Sequence, residues 1–197
     1  MARQAQRSRV TKETSIEVRL VLDGTGRSEI STGIGFFDHM LDQLARHSGM
    51  DLVVRCQGDL HIDTHHSVED TGILLGEVLA EALGDKAGVR RFASVRVPLD
   101  EALVDVALDL SGRPYLHWEV DHPVGPVLFG TPPFDAQLAE EFFRAVITAA
   151  GITLHVTLIR GRNTHHIVEA TFKAVARALR DAVRVEGDSI PSTKGTL

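Results

Sequence analysis

The chain carries the same histidine-containing hexad twice, and this repeat constrains its fold more than any other feature. Residues 64–69 read THHSVE and residues 164–169 read THHIVE. Apolar residues at helical spacing follow each copy, as far as Gly84 in the first and Val183 in the second. A motif that recurs at the start of two similar helices indicates an internal duplication, with one hexad in each half.

The order of predicted elements before each hexad supports the duplication. The first half has patterns typical of strands at 16–22, 27–32, 51–56 and 59–62, and of a helix that begins at residue 33. The second half has the corresponding patterns for strands at 104–110, 115–120 and 153–159, a loop at 121–133 and a helix at 137–150. Neither half would bury a generous core alone, so we expect residues 1–92 and residues 93–197 to pack side by side.

The residue types in the hexads point to metal binding. In a helix, the glutamate lies four residues after the first histidine and three after the second, which are both same-face spacings. The two adjacent histidines diverge by about 100° around the helix axis, so they suit two different ions better than one. Imidazole and carboxylate ligands without thiolates favour a divalent ion such as Mn, Fe or Zn. A duplicated HHxxE pattern is better explained by such ligation than by buried or surface histidines.

Aligning the halves suggests further ligands. Superposing residues 17–20 on residues 105–108 places Glu13 opposite Glu101, and counting back from the glycines that end two helices places His39 opposite Glu141. Glu140 remains a rival for Glu141, because only one of two neighbours on a helix can face the site. Shared between two ions, eight ligands leave each octahedral ion two open positions for substrate or water. The candidate ligands are His39, His65, His66, Glu69, Glu141, His165, His166 and Glu169.

The composition excludes several classes of protein. A net charge of −6 argues against a general nucleic-acid binder, which would normally show a basic face. No apolar run reaches the length of a membrane span, and we interpret the basic residues 1–7 as a frayed arm. The single cysteine, Cys56, precludes an intramolecular disulfide and is typical of a reducing compartment. We therefore expect a cytoplasmic protein without nucleic-acid or membrane partners.

Short segments along almost the whole chain resemble one family, the imidazoleglycerol-phosphate dehydratases. They are both hexads and the segments TKET (11–14), LDGTG (22–26), FDHML (37–41), LDE (99–101), DLSGRP (109–114) and PSTKG (191–195). The resemblance implies an α/β (α+β) fold of two similar halves, each a four-stranded sheet packed against helices, as in domain 2 of ribosomal protein S5. It also implies a homo-oligomer of 24 subunits, with two Mn²⁺ ions in each active site and the sites at subunit interfaces.

The resemblance further implies a reaction in histidine biosynthesis, the dehydration of D-erythro-imidazole glycerol phosphate to imidazole acetol phosphate. Glu13 would transfer a proton, acting with the ligands His39, His65, Glu69, His165 and Glu169. Gln43 and His47 would line the substrate pocket. The phosphate contacts would be Arg91, Arg113, Lys173, Ser192, Thr193 and Lys194. The chain departs from the pattern at Glu141, where many members carry a histidine, so this ligand and Glu140 stay alternatives.

Two other functions are compatible with the same ligands. A metal-dependent hydrolase would use two ions to activate water and would not need a phosphate-binding tail. A structural metal site would hold an oligomer together with closed coordination spheres, and changing Lys194 would then leave turnover intact. The product formed from imidazole glycerol phosphate separates these functions.

Overall fold

A computed structural model describes residues 3–121 and 126–197, and the first half of the chain contains one four-stranded sheet and two helices. The elements run in the order β1 (Gln4–Val10), β2 (Thr14–Val21), β3 (Ser28–Ser31), α1 (Gly35–Ser48), β4 (Asp51–Gly58) and α2 (His65–Leu83). In the sheet the strand order is β1-β2-β4-β3, with β3 parallel to β4 and the other pairs antiparallel. Alternating burial along β2 directs its apolar side chains inward.

The second half repeats this arrangement. Its elements are β5 (Phe92–Leu99), β6 (Ala102–Asp109), β7 (Tyr115–Glu119), a hairpin of β8 (Leu128–Phe129) and β9 (Phe134–Asp135), α3 (Leu138–Ala150), β10 (Thr153–Arg160) and α4 (Thr164–Ala182). The strand order β5-β6-β10-β7 matches the first sheet, and the register matches as well, since Val18 pairs with Val54 as Val106 pairs with Val156. The predicted duplicated fold with two four-stranded sheets is confirmed.

Each helix of the first half packs on a helix of the second half, and this packing creates one shared core. α1 packs on α4, whereas α2 packs on α3. Side chains from both sheets and all four helices, such as Leu52, Leu75, Leu108 and Leu179, line a single small apolar cavity of about 30 Å³. Each half therefore buries its apolar face against the other. The division between residues 92 and 93 remains a prediction, and β5 begins at Phe92. No helix in the described residues is long and apolar enough to cross a membrane.

Two expectations about strands are wrong. Residues 59–62 form a turn and not a strand, because the Ile62 N–H bonds to the Asp59 carbonyl oxygen at 2.7 Å. The N-terminal arm is not frayed from Gln4 onward, because β1 pairs with β2 along its whole length. Arg3 also forms an ion pair with Asp23, and residues 1 and 2 lie outside the described residues.

The second half differs from expectation in two places. β5 was not predicted, because its exposed positions hold Phe92 and Arg96 and its alternation includes Pro98. The predicted loop at 121–133 contains the strand β8, and its residues 122–125 lie outside the described part of the chain.

Two glycines let α2 approach α3 closely. A Cβ atom at Gly72 would lie 2.8 Å from the Phe142 carbonyl oxygen, and one at Gly76 would lie 2.4 Å from the Val146 carbonyl oxygen. The equivalent positions in α4 hold Phe172 and Ala176. The two helix pairs therefore differ, with the α2–α3 pair packed through glycine.

We expect Gly76→Ala to lower the free energy of unfolding by about 1–3 kcal/mol, because the backbone of α3 must move to admit the methyl group. Denaturant unfolding of the purified protein measures this. Gly35→Ala in α1 is the matched control, since its Cβ would meet nothing within 4 Å. Equal stability of the two variants would contradict the packing argument.

Candidate metal centre

The packing of α1 on α4 brings three potential metal ligands together. His39 comes from α1, and His165 and Glu169 come from α4. One ligand atom from each lies within 4.8 Å of the others, and the Nε2 atoms of His39 and His165 lie 3.4 Å and 3.0 Å from Glu169 Oε2. Across residues 3–121 and 126–197 this is the one such group of three, and two imidazoles with a carboxylate suit a divalent cation.

Local contacts fix where each hexad helix begins. The Asn163 side chain accepts hydrogen bonds from the backbone N–H groups of His165 and His166, at 3.0 and 3.4 Å. In the first half, Asp63 Oδ1 accepts from the His65 N–H at 2.8 Å. Asn163 is thus the N-cap of α4, and Asp63, which precedes the N-cap Thr64, satisfies the first N–H of α2. Both hexads therefore lie in the first turns of their helices.

Neighbouring side chains hold the three-residue group in place. The ring of His165 packs edge-on against Phe36 and Phe129, with centroids 5.2 and 5.9 Å away. Lys173 Nζ lies 2.6 Å from Glu169 Oε1. Burial would raise the pKa of Glu169, but the hydrogen bond and charge of Lys173 and the contact with His165 lower it below its usual value. Glu169 is therefore ionised at neutral pH, as a metal ligand requires.

The two histidines of each hexad face different directions. The ring planes of His65 and His66 are 87° apart, and those of His165 and His166 are 88° apart. The second histidine of each pair contacts a carboxylate outside the three-residue group. His66 Nδ1 lies 3.0 Å from Asp59 Oδ2, and this hydrogen bond raises the pKa of His66.

The equivalent histidine of the second half contacts a glutamate. His166 Nδ1 lies 2.8 Å from Glu101 Oε2, which raises the pKa of His166 and, with backbone N–H donors, lowers the pKa of Glu101 to about 2. Asp59 and Glu101 thus fill the same role toward the second histidine of each hexad.

The remaining candidate ligands are more widely spaced within one chain. His65 Nε2 lies 3.7 Å from Glu69 Oε2, and in the described ranges neither belongs to a group of three. Glu141 lies in the first turn of α3, the helix packed on α2. Its rival Glu140 forms an ion pair with Arg144 one turn later. The structure thus joins three of the eight candidates directly.

Glu13 lies on the turn between β1 and β2. Its backbone N–H bonds to Thr11 Oγ1, and its carbonyl oxygen accepts the N–H of Asp59 at 3.0 Å. Its side chain is exposed and lies close to His66. The negative charge of Glu13 therefore helps to raise the pKa of His66, after the larger effect of the hydrogen bond that His66 donates to Asp59. Glu13 therefore lies beside the first hexad.

The C-terminal tail and two arginines line an open cavity. The guanidinium of Arg91 binds both Asp109 oxygens, at 2.7 and 3.1 Å, and donates to the Pro191 carbonyl oxygen at 2.7 Å. Arg91 thereby ties the tail to β6. The cavity is lined by Arg91, Arg113, Pro191, Ser192, Thr193, Lys194, Thr196 and Leu197. Cationic and hydroxyl donors around one opening suit a phosphate group.

The other predicted substrate residues lie on α1 and α4, which pack against each other. His47 Nε2 is 3.2 Å from Gln43 Oε1, one turn earlier on α1. Burial, followed by the charges of Lys173 and Arg177, lowers the pKa of His47 below its usual value. Within the chain, Lys173 lies beside Glu169 and not among the residues that line the tail cavity.

Three contributing residues escaped the sequence interpretation. The alternating pattern at 59–62 predicts a strand that includes Asp59, and no sequence pattern indicates that Asp109 and Phe36 contact functional side chains. A ligand imidazole usually donates its second N–H to a carboxylate, so an acidic residue close to the hexad, such as Asp59, was a candidate partner. Nothing in the sequence marked the contact between Phe36 and His165.

Comparisons with known proteins agree with one another. The family model described as imidazoleglycerol-phosphate dehydratase matches residues 32–179. A relative of that name from Roseobacter denitrificans is 61% identical over 193 residues, covering 96% of this chain and 97% of the relative. One from Cereibacter sphaeroides strain KD131 is 58% identical and covers 99% of this chain and 100% of its own length.

Solved structures give the same result. The imidazoleglycerol-phosphate dehydratase of Staphylococcus aureus has a TM-score of 0.81 and 42% identity, covering 92% of this chain and 99% of the other. The enzyme of Pyrococcus furiosus, in complex with (S)-C348, has a TM-score of 0.82 and 38% identity, with coverage of 97% and 100%.

Proposed function

The chain belongs to the imidazoleglycerol-phosphate dehydratase family, a family of hydro-lyases, and from this premise we propose that it dehydrates D-erythro-imidazole glycerol phosphate to imidazole acetol phosphate with two Mn²⁺ ions in each active site. The observation that carries the metal dependence is the group of His39, His165 and Glu169, whose donor atoms lie within 4.8 Å of one another. The reaction belongs to histidine biosynthesis, which fits a cytoplasmic enzyme with one buried, reduced cysteine.

The ligand set divides between two ions according to the duplication. His39, His165 and Glu169 would hold one ion, and their pseudo-symmetric counterparts Glu141, His65 and Glu69 would hold the other. Bound divalent ions would supply positive charge that polarises the substrate and stabilises charge developing on it.

His66 and His166 would complete the coordination in neighbouring copies of the chain. Their rings lie nearly perpendicular to those of His65 and His165, and each contacts a carboxylate outside the three-residue group. This divergence supports ligands shared between copies of the chain, and the family resemblance implies that the sites lie at subunit interfaces of a 24-subunit homo-oligomer.

Dehydration needs a proton to leave carbon as the hydroxyl group of the neighbouring carbon departs as water. The resulting enol then gains a proton on carbon and loses its hydroxyl proton to give the ketone. Glu13 is the residue that we assign to proton transfer, because its exposed carboxylate lies beside the first hexad. Gln43 and His47 would line the imidazole end of the pocket. The donors in the tail cavity would hold the phosphate, and Lys173 would contact the substrate from α4, beside Glu169.

The direct test is turnover of imidazole glycerol phosphate by protein that has been stripped of metal and reloaded with Mn²⁺. We expect stoichiometric imidazole acetol phosphate only from the reloaded protein. Release of orthophosphate would instead indicate a hydrolase. Full turnover by the stripped protein would indicate that the metal is purely structural.

Removing the Lys194 side chain should raise KM about tenfold or more, because a charge-assisted hydrogen bond is typically worth about 1.5–3 kcal/mol. Steady-state kinetics on Lys194→Ala measures this, and deleting residues 192–197 should have a larger effect. Arg180→Ala on the exposed side of α4 is the charge-matched control. An unchanged KM in the truncated enzyme would show that the tail does not bind phosphate.

Glu141→Ala should lower occupancy of one ion and leave the other bound, whereas Glu140→Ala should change little, because Glu140 pairs with Arg144. Metal analysis of the purified variants distinguishes the two. The reverse pattern would assign the ligand to Glu140, and full occupancy in both variants would place the eighth ligand elsewhere.

A further inference from the structure

Each hexad presents its second histidine to a carboxylate, but the two carboxylates come from different parts of the halves. Glu101 lies on the turn between β5 and β6, and its Oε1 also accepts the backbone N–H groups of Arg162 and Asn163, at 3.2 and 2.8 Å. Asp59 directly follows β4, at the end of a different strand. The same contact between a histidine and a carboxylate therefore occurs in both halves, with the carboxylate supplied by a different loop in each.

The lengths of two loops explain the difference. The connection from β10 to α4 is residues 161–163, short enough for Glu101 to reach both its backbone and His166. The connection from β4 to α2 is the longer segment 59–64, and it places Asp59 against His66. Glu13 is the pseudo-symmetric counterpart of Glu101, but its contact with this loop is a backbone one, from the Asp59 N–H to the Glu13 carbonyl oxygen.

We propose that Asp59 and Glu101 are positioning residues that keep the proton of His66 and His166 on Nδ1, which leaves each Nε2 lone pair available to a metal ion. The longer first loop lets Asp59 take the position that Glu101 occupies in the second half, and this releases the Glu13 carboxylate for proton transfer. The proposal rests on the proposed function, because it assigns the two histidines to metal binding.

The chemistry of metal sites supports this assignment. A ligand imidazole usually donates its second N–H to a carboxylate, which fixes the tautomer and ring orientation and makes the ligand nitrogen more basic. Loss of such a partner typically weakens metal binding about 10–100-fold. An ordinary surface pair between a histidine and a carboxylate would contribute little to stability and nothing to metal affinity.

The test is competition between the Mn²⁺-loaded, full-length enzyme and a chelator of known affinity. Asp59→Ala and Glu101→Ala should each weaken Mn²⁺ binding about 10–100-fold. Glu13→Gln should not, although it is the counterpart of Glu101. Asp63→Asn is the matched control in the same loop, since its Oδ1 can still accept the His65 N–H.

Wild-type Mn²⁺ affinity in Asp59→Ala, or an equal loss in Glu13→Gln, would overturn the proposal. Thermal unfolding of the metal-free proteins separates positioning from structure. A positioning residue leaves the metal-free Tm unchanged and reduces only the increase caused by Mn²⁺, whereas a lower metal-free Tm would indicate a structural role. If Asp59→Ala does not fold, Asp59→Leu and Glu101→Ala give the same comparison, because neither new side chain can accept the imidazole N–H. Failure of the proposed function would appear separately, as a fully loaded wild-type enzyme that forms no ketone.

Discussion

Glu13→Gln is expected to lower kcat by about 10²- to 10⁴-fold, the usual contribution of a positioned acid or base. The amide keeps the size of the side chain but cannot take up or deliver the proton. KM and Mn²⁺ content should stay near the wild-type values, because Glu13 contacts the first-half loop through its backbone and its side chain is exposed.

Glu17→Gln is the control for the Glu13 variant. Glu17 lies on β2, the strand that follows Glu13, and its carboxylate contacts Gln6 and Arg55 on the exposed face of the sheet. The kcat of the Glu17→Gln variant should match the wild-type value. A kcat within about threefold of the wild type in Glu13→Gln would assign proton transfer to another group, because even a weak general acid or base contributes more.

Glu169→Ala is expected to remove one ion and, with it, turnover. Its carboxylate lies within 3.4 Å of both His39 and His165 and accepts the Lys173 ammonium on its other oxygen. Without the Glu169 carboxylate, the site loses its negatively charged ligand. The ammonium group of Lys173 then lies beside the ion with no carboxylate to neutralise it. The affinity for Mn²⁺ should fall by more than the roughly 10–100-fold that loss of an outer partner costs.

Metal analysis and kcat on the same preparation test the Glu169 prediction. Glu77→Ala is the control on a hexad helix, because Glu77 pairs with Arg7 near the surface, two turns beyond Glu69. Full metal content in Glu169→Ala would show that the three-residue group does not hold an ion. Full metal content with lost turnover would assign Glu169 to the chemistry.

Local patterns were sufficient to predict much of the fold. The two hexad helices and most strands followed from periodicity, and counting from Gly49 and Gly151 correctly related α1 to α3. Turn chemistry was the weak point, since Asp59 to Ile62 alternates like a strand but bonds within a turn. Strand β5 escaped because an exposed edge strand with Phe92 and Pro98 lacks a clean polar face.

Contacts between distant segments were the part of the site that the sequence could not give. Only the packing of α1 on α4 brings His39 to Glu169, and no spacing within the chain encodes which helices pair. The carboxylate partners of His66 and His166 arise from loop lengths that differ between the halves. If another copy of the chain supplies ligands, their positions depend on how the copies pack against each other, which local sequence patterns do not predict.

The glycines of α2 bear on the evolutionary history of the two halves. A tandem duplication starts from identical halves, each able in principle to pair with a copy of itself. The present halves can no longer pair in this way. Gly72 and Gly76 leave room for the backbone of α3, whereas the equivalent Phe172 stacks on Phe142 in the core. A chain with two copies of the second half would place a phenylalanine where a methyl group has no room. Each half therefore packs only against the other half, and neither half can replace the other.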